Sequence, residues 1–246
     1  MKKHLHIALS TLIFAAASFG AVNYPVPPST AIVYSNAQTK TNTGVCSGSN
    51  CSGGSGSGVA WIAANQTTPS LSGRSTEFYN QGSGFDTLWY WHLGAQNKAT
   101  NIELSFNLMV DNNSLVEGQA FENGPQQFVG GYKYSMTMQC EYPKQIWRVW
   151  NQAAHGWTAT TVPCPRWTPN VWHKVQMYIT TNHTKHTETY HTIIVDGKAY
   201  PIEMTLGVTN VGFHDNLGFQ FQIDNKKDST MGGIHEWVDN VKLAVW

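Results

Sequence analysis

The stretch Thr189-Tyr190-His191-Thr192-Ile193-Ile194-Val195-Asp196-Gly197-Lys198-Ala199-Tyr200-Pro201-Ile202-Glu203-Met204 decides the fold. Two runs rich in β-branched and aromatic residues flank an Asp-Gly pair. Asp-Gly supplies the positive φ that a tight two-residue turn requires, so the stretch reads as an antiparallel hairpin. Working outward, residues 171–180 alternate Val171, His173, Val175, Met177 and Ile179 with Trp172, Lys174, Gln176 and Tyr178. Residues 217–223 alternate Phe219 and Phe221 with Gln220 and Gln222. Residues 87–93, 101–110, 132–139 and 235–246 are strand-like in the same way. Period-two patterning turns one face of each strand to a core and the other elsewhere. Many such runs, with turn signals between them and no helical period beyond about two turns, argue for an all-β antiparallel sandwich of jelly-roll type.

Composition narrows the function. The chain has 246 residues, 41% hydrophobic and only 12% charged, against roughly a quarter charged in an ordinary soluble chain. Its 15 basic residues balance its 15 acidic ones, which argues against the strongly basic surface of a nucleic-acid binder. Ten each of Trp, Tyr and Phe give it enough apolar area to fold.

Residues 1–20 read as an export signal: Lys2 and Lys3, a short apolar run from Leu5 to Phe14, then small residues suited to cleavage. The apolar run is too short to span a bilayer, so no membrane insertion is expected after cleavage, and the location implied is secreted or periplasmic. Four cysteines fit that setting. They allow three pairings, of which the local one, Cys46–Cys51 with Cys140–Cys164, is expected. Residues 21–69 read as a lead-in with a flexible Gly/Ser-rich segment at 47–58, and residues 70–246 as the sandwich domain.

Candidate site residues lie on the polar faces of strands. Gln220 and Gln222 share one face, and amides exchange paired hydrogen bonds with hydroxyls. Trp147 and Val149 have one parity, Arg148 and Trp150 the other, so one tryptophan faces the core. Tyr134 and Trp150 are candidate stacking rings for sugar C–H faces. Glu122, within Phe121-Glu122-Asn123-Gly124-Pro125, is a strand carboxylate beside a proline, as on a bulged strand bordering a groove. Glu117 is the nearest carboxylate in sequence, but five residues' separation turns the two to opposite faces of a straight strand. Asp239 on the terminal strand is either a calcium ligand or a cap of the sheet edge. The histidines at 183, 186 and 191 fit a solvated hairpin better than a tetrahedral metal site.

Trp172-His173-Lys174-Val175 with the following Asp-Gly hairpin, and the closing Trp237-Val238-Asp239-Asn240-Val241-Lys242-Leu243, resemble the concanavalin A-like lectin/glucanase superfamily, especially its laminin-G-like jelly rolls. The chain from about residue 70 onward is also similar to a group of exported bacterial proteins with this pattern. The resemblance implies a jelly roll with a groove. Laid on the Glu-x-Asp-x-x-Glu motif of laminarinase-type hydrolases, Glu122 takes the nucleophile position, Gly124 the helper position and Gln127 the acid/base position. An amide cannot protonate a leaving oxygen, so the resemblance implies a groove without that hydrolytic mechanism. It also implies a structural Ca²⁺ at Asp239, and no motif calls for another cofactor.

These readings converge on a lectin-like module that binds a neutral polysaccharide or glycan, with Glu122, Gln127, Gln220 and Gln222 as hydrogen-bonding groups. The alternatives are a glycan-active enzyme, a hydrolase or lyase using Glu122, and a structural or adhesion protein of the envelope.

Overall fold

The computed structural model describes residues 24–40, 43–51, 54–230 and 232–246, so the export segment read at residues 1–20 lies outside the described residues. Among them, seventeen strands follow in chain order: β1 (Ile32–Tyr34), β2 (Thr43–Ser47), β3 (Val59–Gln66), β4 (Ser75–Gln81), β5 (Asp86–Gly94), β6 (Asn101–Val110), β7 (Gly118–Val129), β8 (Gly131–Ser135), β9 (Met138–Glu141), β10 (Ile146–Asn151), β11 (Gly156–Pro163), β12 (His173–Asn182), β13 (Thr187–Val195), β14 (Lys198–Gly207), β15 (Thr209–Phe213), β16 (Asn216–Asn225) and β17 (Ile234–Val245). One α-helix, α1 (Asn112–Glu117), is started by Asp111, whose carboxylate accepts from the Ser114 backbone N–H at 2.6 Å.

The strands form two antiparallel sheets. One runs β14-β13-β12-β6-β17-β4-β3, with β1 paired to β17. The other runs β11-β10-β9-β7-β16-β5-β2, with β8 paired to β7 and β15 to β8. The hairpin that opens the sequence analysis is present: Val195 pairs with Lys198 across Asp196 and Gly197, at φ 49° and 80°. Positive φ at both turn positions matches the right-handed twist of the strands it joins.

Between the sheets lies a continuous aromatic layer. Trp91 stacks on Phe219 with ring centroids 4.7 Å apart, and Phe121 stacks on Phe221 at 5.6 Å. From the opposite sheet, Phe78 and Phe106 reach Phe221 at 5.7 and 5.2 Å. Trp147 joins this buried core, which leaves Trp150, of opposite parity on β10, outside it.

The sandwich begins well before residue 70. Residues 32–66, placed in the lead-in by their composition, contribute β1, β2 and β3, which pair with β17, β5 and β4. The Gly/Ser-rich loop is held at both sides: Cys46–Cys51 is a disulfide, and Ser55 donates from its backbone N–H to Asp86 at 2.6 Å. Cys140–Cys164 is the second disulfide, so the local pairing holds. Two disulfides are the signature of a chain that folds in an oxidising compartment.

Asp239, read from sequence as a calcium ligand or a cap of the sheet edge, is taken up by protein donors. Its buried carboxylate accepts from Ser70 Oγ (2.7 Å), Leu71 N (2.6 Å), Ser72 N (2.9 Å), Ser72 Oγ (2.6 Å), Asn240 N (2.7 Å) and Gln38 Nε2 (3.4 Å). These donors fill the lone pairs a metal would need. The residue ties the segment before β2 and the loop before β4 to β17. Burial alone pushes this carboxyl up, but the hydrogen bonds from Ser72, Ser70 and Leu71 outweigh it and hold its pKa below the usual carboxylate value. The stabilisation is therefore present above the unfolded-state value of ~3.9 and is lost as pH falls through the lower folded value. We expect Asp239→Ala to lower stability by about 3 kcal/mol near neutral pH, because buried donors are left unmade. Denaturant melts across the acid range should show the variant losing less further stability than the parent as pH falls.

Candidate functional site

The outer face of the nine-stranded sheet forms a groove of about 1010 Å³. Strand alternation places its residues. On β16 the core takes Leu217, Phe219, Phe221 and Ile223, so Gln220, Gln222 and Asp224 face the groove. On β5 the core takes Trp89 and Trp91, which turns Asp86, Leu88, Tyr90 and His92 outward. On β7 Phe121 goes inward and Glu122, Gln126 and Phe128 outward. On β10 Trp147 and Val149 go inward and Trp150 outward, beside Trp157 of β11.

Register lines these side chains up in rows across the strands. Leu88, Gln222, Glu122, Gln139 and Arg148 are successive cross-strand partners. In the next row, Tyr90 pairs with Gln220 and Gln220 with Gly124, while Trp150 pairs with Trp157. Trp150 and Trp157 meet edge to face at 5.3 Å, and the Trp150 indole N–H donates to Gln152 Oε1 at 3.0 Å. Gln126 donates to Gln220 across the groove floor. Rings thus stand at both sides of the groove with amides between them. Cys46, Cys51, Gly54 and Ser55 form its wall beyond Asp86.

Four of the six binding residues expected from sequence meet here: Glu122, Trp150, Gln220 and Gln222. The other two do not. Tyr134 is fully buried in the inter-sheet core, and burial raises its hydroxyl pKa to about 12. Gln127 is also fully buried; it donates to the carbonyls of Gln96 and Ala99, both at 2.9 Å, and its oxygen accepts from Thr181 Oγ1 at 3.2 Å. No bulge separates Glu122 from Gln127, so their odd separation sends them to opposite faces.

The hydrolase motif is closed off at Gly124 as well. Pro125 has no N–H to give, and the β7 ladder breaks opposite it, between the β8 and β9 pairings. The neighbouring backbone dips over Gly124: a Cβ there would lie 2.4 Å from Met136 O and 2.6 Å from Thr137 Cα. Only glycine fits where the helper aspartate would stand.

Glu122 has a carboxyl partner that sequence reading did not supply. Glu117 lies in α1 and is held by Thr230, through N–H at 2.7 Å and Oγ1 at 2.9 Å. The partner is Asp224, which lies diagonally across from Glu122 on β16 and hydrogen-bonds to it. Burial, the Asp224 charge and the shared hydrogen bond, and Asp86 beyond, raise the Glu122 pKa well above the usual carboxylate value; Arg148 opposes them. Burial likewise raises Asp224 to about 6, although Glu122 and Gln222 hydrogen-bond to it, the latter from Nε2 at 2.8 Å. Asp86 is raised by burial, against the pull of Ser55. Burial and mutual repulsion therefore oppose full ionisation of the Glu122–Asp224 pair. Asp224 has the parity of Gln220 and Gln222, the one sequence signal that could have pointed to it.

No protein family and no curated protein matches the chain. Solved structures do. The alginate lyase Aly36B superposes with a TM-score of 0.52 at 14% identity, over 86% of this chain and 96% of that one. A carbohydrate esterase from the Shiga toxin-encoding bacteriophage phi24B gives 0.48 at 11% identity, over 87% and 99%. A family 11 carbohydrate-binding module from Clostridium thermocellum, in complex with a β-1,3-1,4-mixed-linked tetrasaccharide, gives 0.42 at 12% identity, over 87% and 94%. At these identities the likeness to Aly36B is one of fold: a jelly-roll β-sandwich.

Two measurements check this site. A protonated-carboxyl infrared band should persist to higher pH than that of an ordinary glutamate and vanish in Glu122→Gln, while the Asp224 carboxyl carbon should titrate near 6 by NMR. Gly124→Ala should cost about 2 kcal/mol in denaturant unfolding, because its methyl meets backbone rather than a movable side chain.

Proposed function

We propose that the chain is an exported, lectin-like jelly roll of the concanavalin A-like superfamily that binds a neutral polysaccharide or glycan along the groove of its nine-stranded sheet. The observation that carries this reading is the placement of rings and amides on adjacent strands in register. Tyr90 and Gln220 share one row, and Trp150 and Trp157 extend the platform at the other side. Half-buried rings stack on the C–H faces of sugars, and amides between them exchange hydrogen bonds with hydroxyls. A polymer of uronic acids fits poorly, because Asp86, Glu122 and Asp224 crowd one end of the groove. Secretion follows from the export signal read in the sequence and agrees with the two disulfides.

The reading is of binding rather than hydrolysis. Glycosidase carboxyl pairs stand about 5–5.5 Å or 6.5–9.5 Å apart, so that a sugar or a water fits between them. Glu122 and Asp224 are instead hydrogen-bonded directly to one another. The side chain at the motif's acid/base position, Gln127, points into the core.

Pull-down and calorimetry over a panel of neutral polysaccharides test the proposal. We expect binding to at least one of them, weakened about tenfold or more in Trp150→Ala and in Gln220→Ala, with the melting transition intact. Absence of binding to every neutral glycan, or binding indifferent to both substitutions, overturns it. Reducing ends released at a rate abolished by Glu122→Gln would instead assign the groove to an enzyme.

A further inference from the structure

The acidic end of the groove has a chemistry that a purely neutral ligand does not use. Asp86 from β5, Glu122 from β7 and Asp224 from β16 converge there. Glu122 is only 5% exposed, yet it lines the groove, and among the described residues its hydrogen-bond partner is Asp224. Among the described residues the cations nearby form no ion pair with the three, although the Arg148 charge acts on Glu122. Arg148 on β10 is engaged by Glu141 of β9 at 3.2 Å and by the Trp157 carbonyl at 3.3 Å. Glu141 is also bound by Lys144, at 2.8 Å. Lys227, just after β16, lines the same end but forms no ion pair with any of the three carboxyls among the described residues.

From this arrangement we infer that the end of the groove walled by Asp86, Glu122 and Asp224 is a subsite for an amino sugar whose free amine, as an ammonium ion, donates to the carboxyl cluster while the rest of the glycan lies over the rings and amides. This rests on the groove being a glycan site and names the sugar class at one of its ends. An ammonium ion supplies three donors to oxygens that face the groove, and its charge offsets the repulsion among the three carboxyls. Binding then favours the ionised form of Glu122. Affinity for the amine should rise with pH as Glu122 becomes easier to ionise, until the amine itself loses its proton. The hydroxyls of a neutral sugar have no such dependence.

The test compares deacetylated chitin oligosaccharides with fully N-acetylated ones of equal length, by calorimetry in buffers of different ionisation enthalpy. We expect the free-amine oligomer to bind about tenfold more tightly, the scale of one charge-assisted hydrogen bond, with release of up to one proton per site. The ratio between the two oligomers should collapse towards one in Asp224→Asn and in Glu122→Gln. Equal affinity of the parent protein for both oligomers, or a preference that survives both substitutions, overturns the inference and leaves the glycan groove standing. Failure of these and of all neutral glycans to bind removes the groove reading itself, a distinguishable result.

Discussion

The packing of Phe219 and Phe221 into the inter-sheet aromatic layer is the constraint on which the rest depends. Both rings are fully buried, held by Trp91 and Phe121 of their own sheet and by Phe78 and Phe106 of the other. β16 lies between β5 and β7, so its register is tied on both sides. A slip of one residue would drive Gln220, Gln222 and Asp224 into the core and expose two phenylalanines, at a cost of several kcal/mol. The groove is the reverse side of that packing.

The same geometry explains the electrostatics of the site. Side chains of one parity on neighbouring strands stand only about 5 Å apart. When the inward parity is apolar, the outward parity gathers whatever polar residues remain, and here three of them are acids. Water is partly excluded, so like charges interact strongly and the paired carboxyl groups resist ionising together. Asp239, in the other sheet, shows the opposite outcome: also buried, it is surrounded by donors and stays ionised.

The described stretch before β4 supplies more structure than its composition suggests. Pro, Gly, Ser and Thr dominate it, yet three strands and a disulfide build it into both sheets. Short edge strands need little apolar area of their own, because the sheets they join are already buried on the other side. The loop from Gly54 to Ser55 follows the groove because Asp86 holds it there.

Alternation and turn chemistry are local properties, and they sufficed for the β-sandwich, the Asp196-Gly197 hairpin and the shared face of Gln220 and Gln222, whereas the folded chain chose among the three cysteine pairings. What alternation leaves open is which parity faces inward where both contain rings, and which strands become neighbours. Tyr134 went to the core because Met136 and Met138 lie with it there, while Lys133 took the outside. Gln127 followed the unbroken parity of β7 rather than the family motif laid over it. The meeting of Glu122 with Asp224, about a hundred residues on, is a matter of long-range strand pairing, so only the folded sheet could decide it.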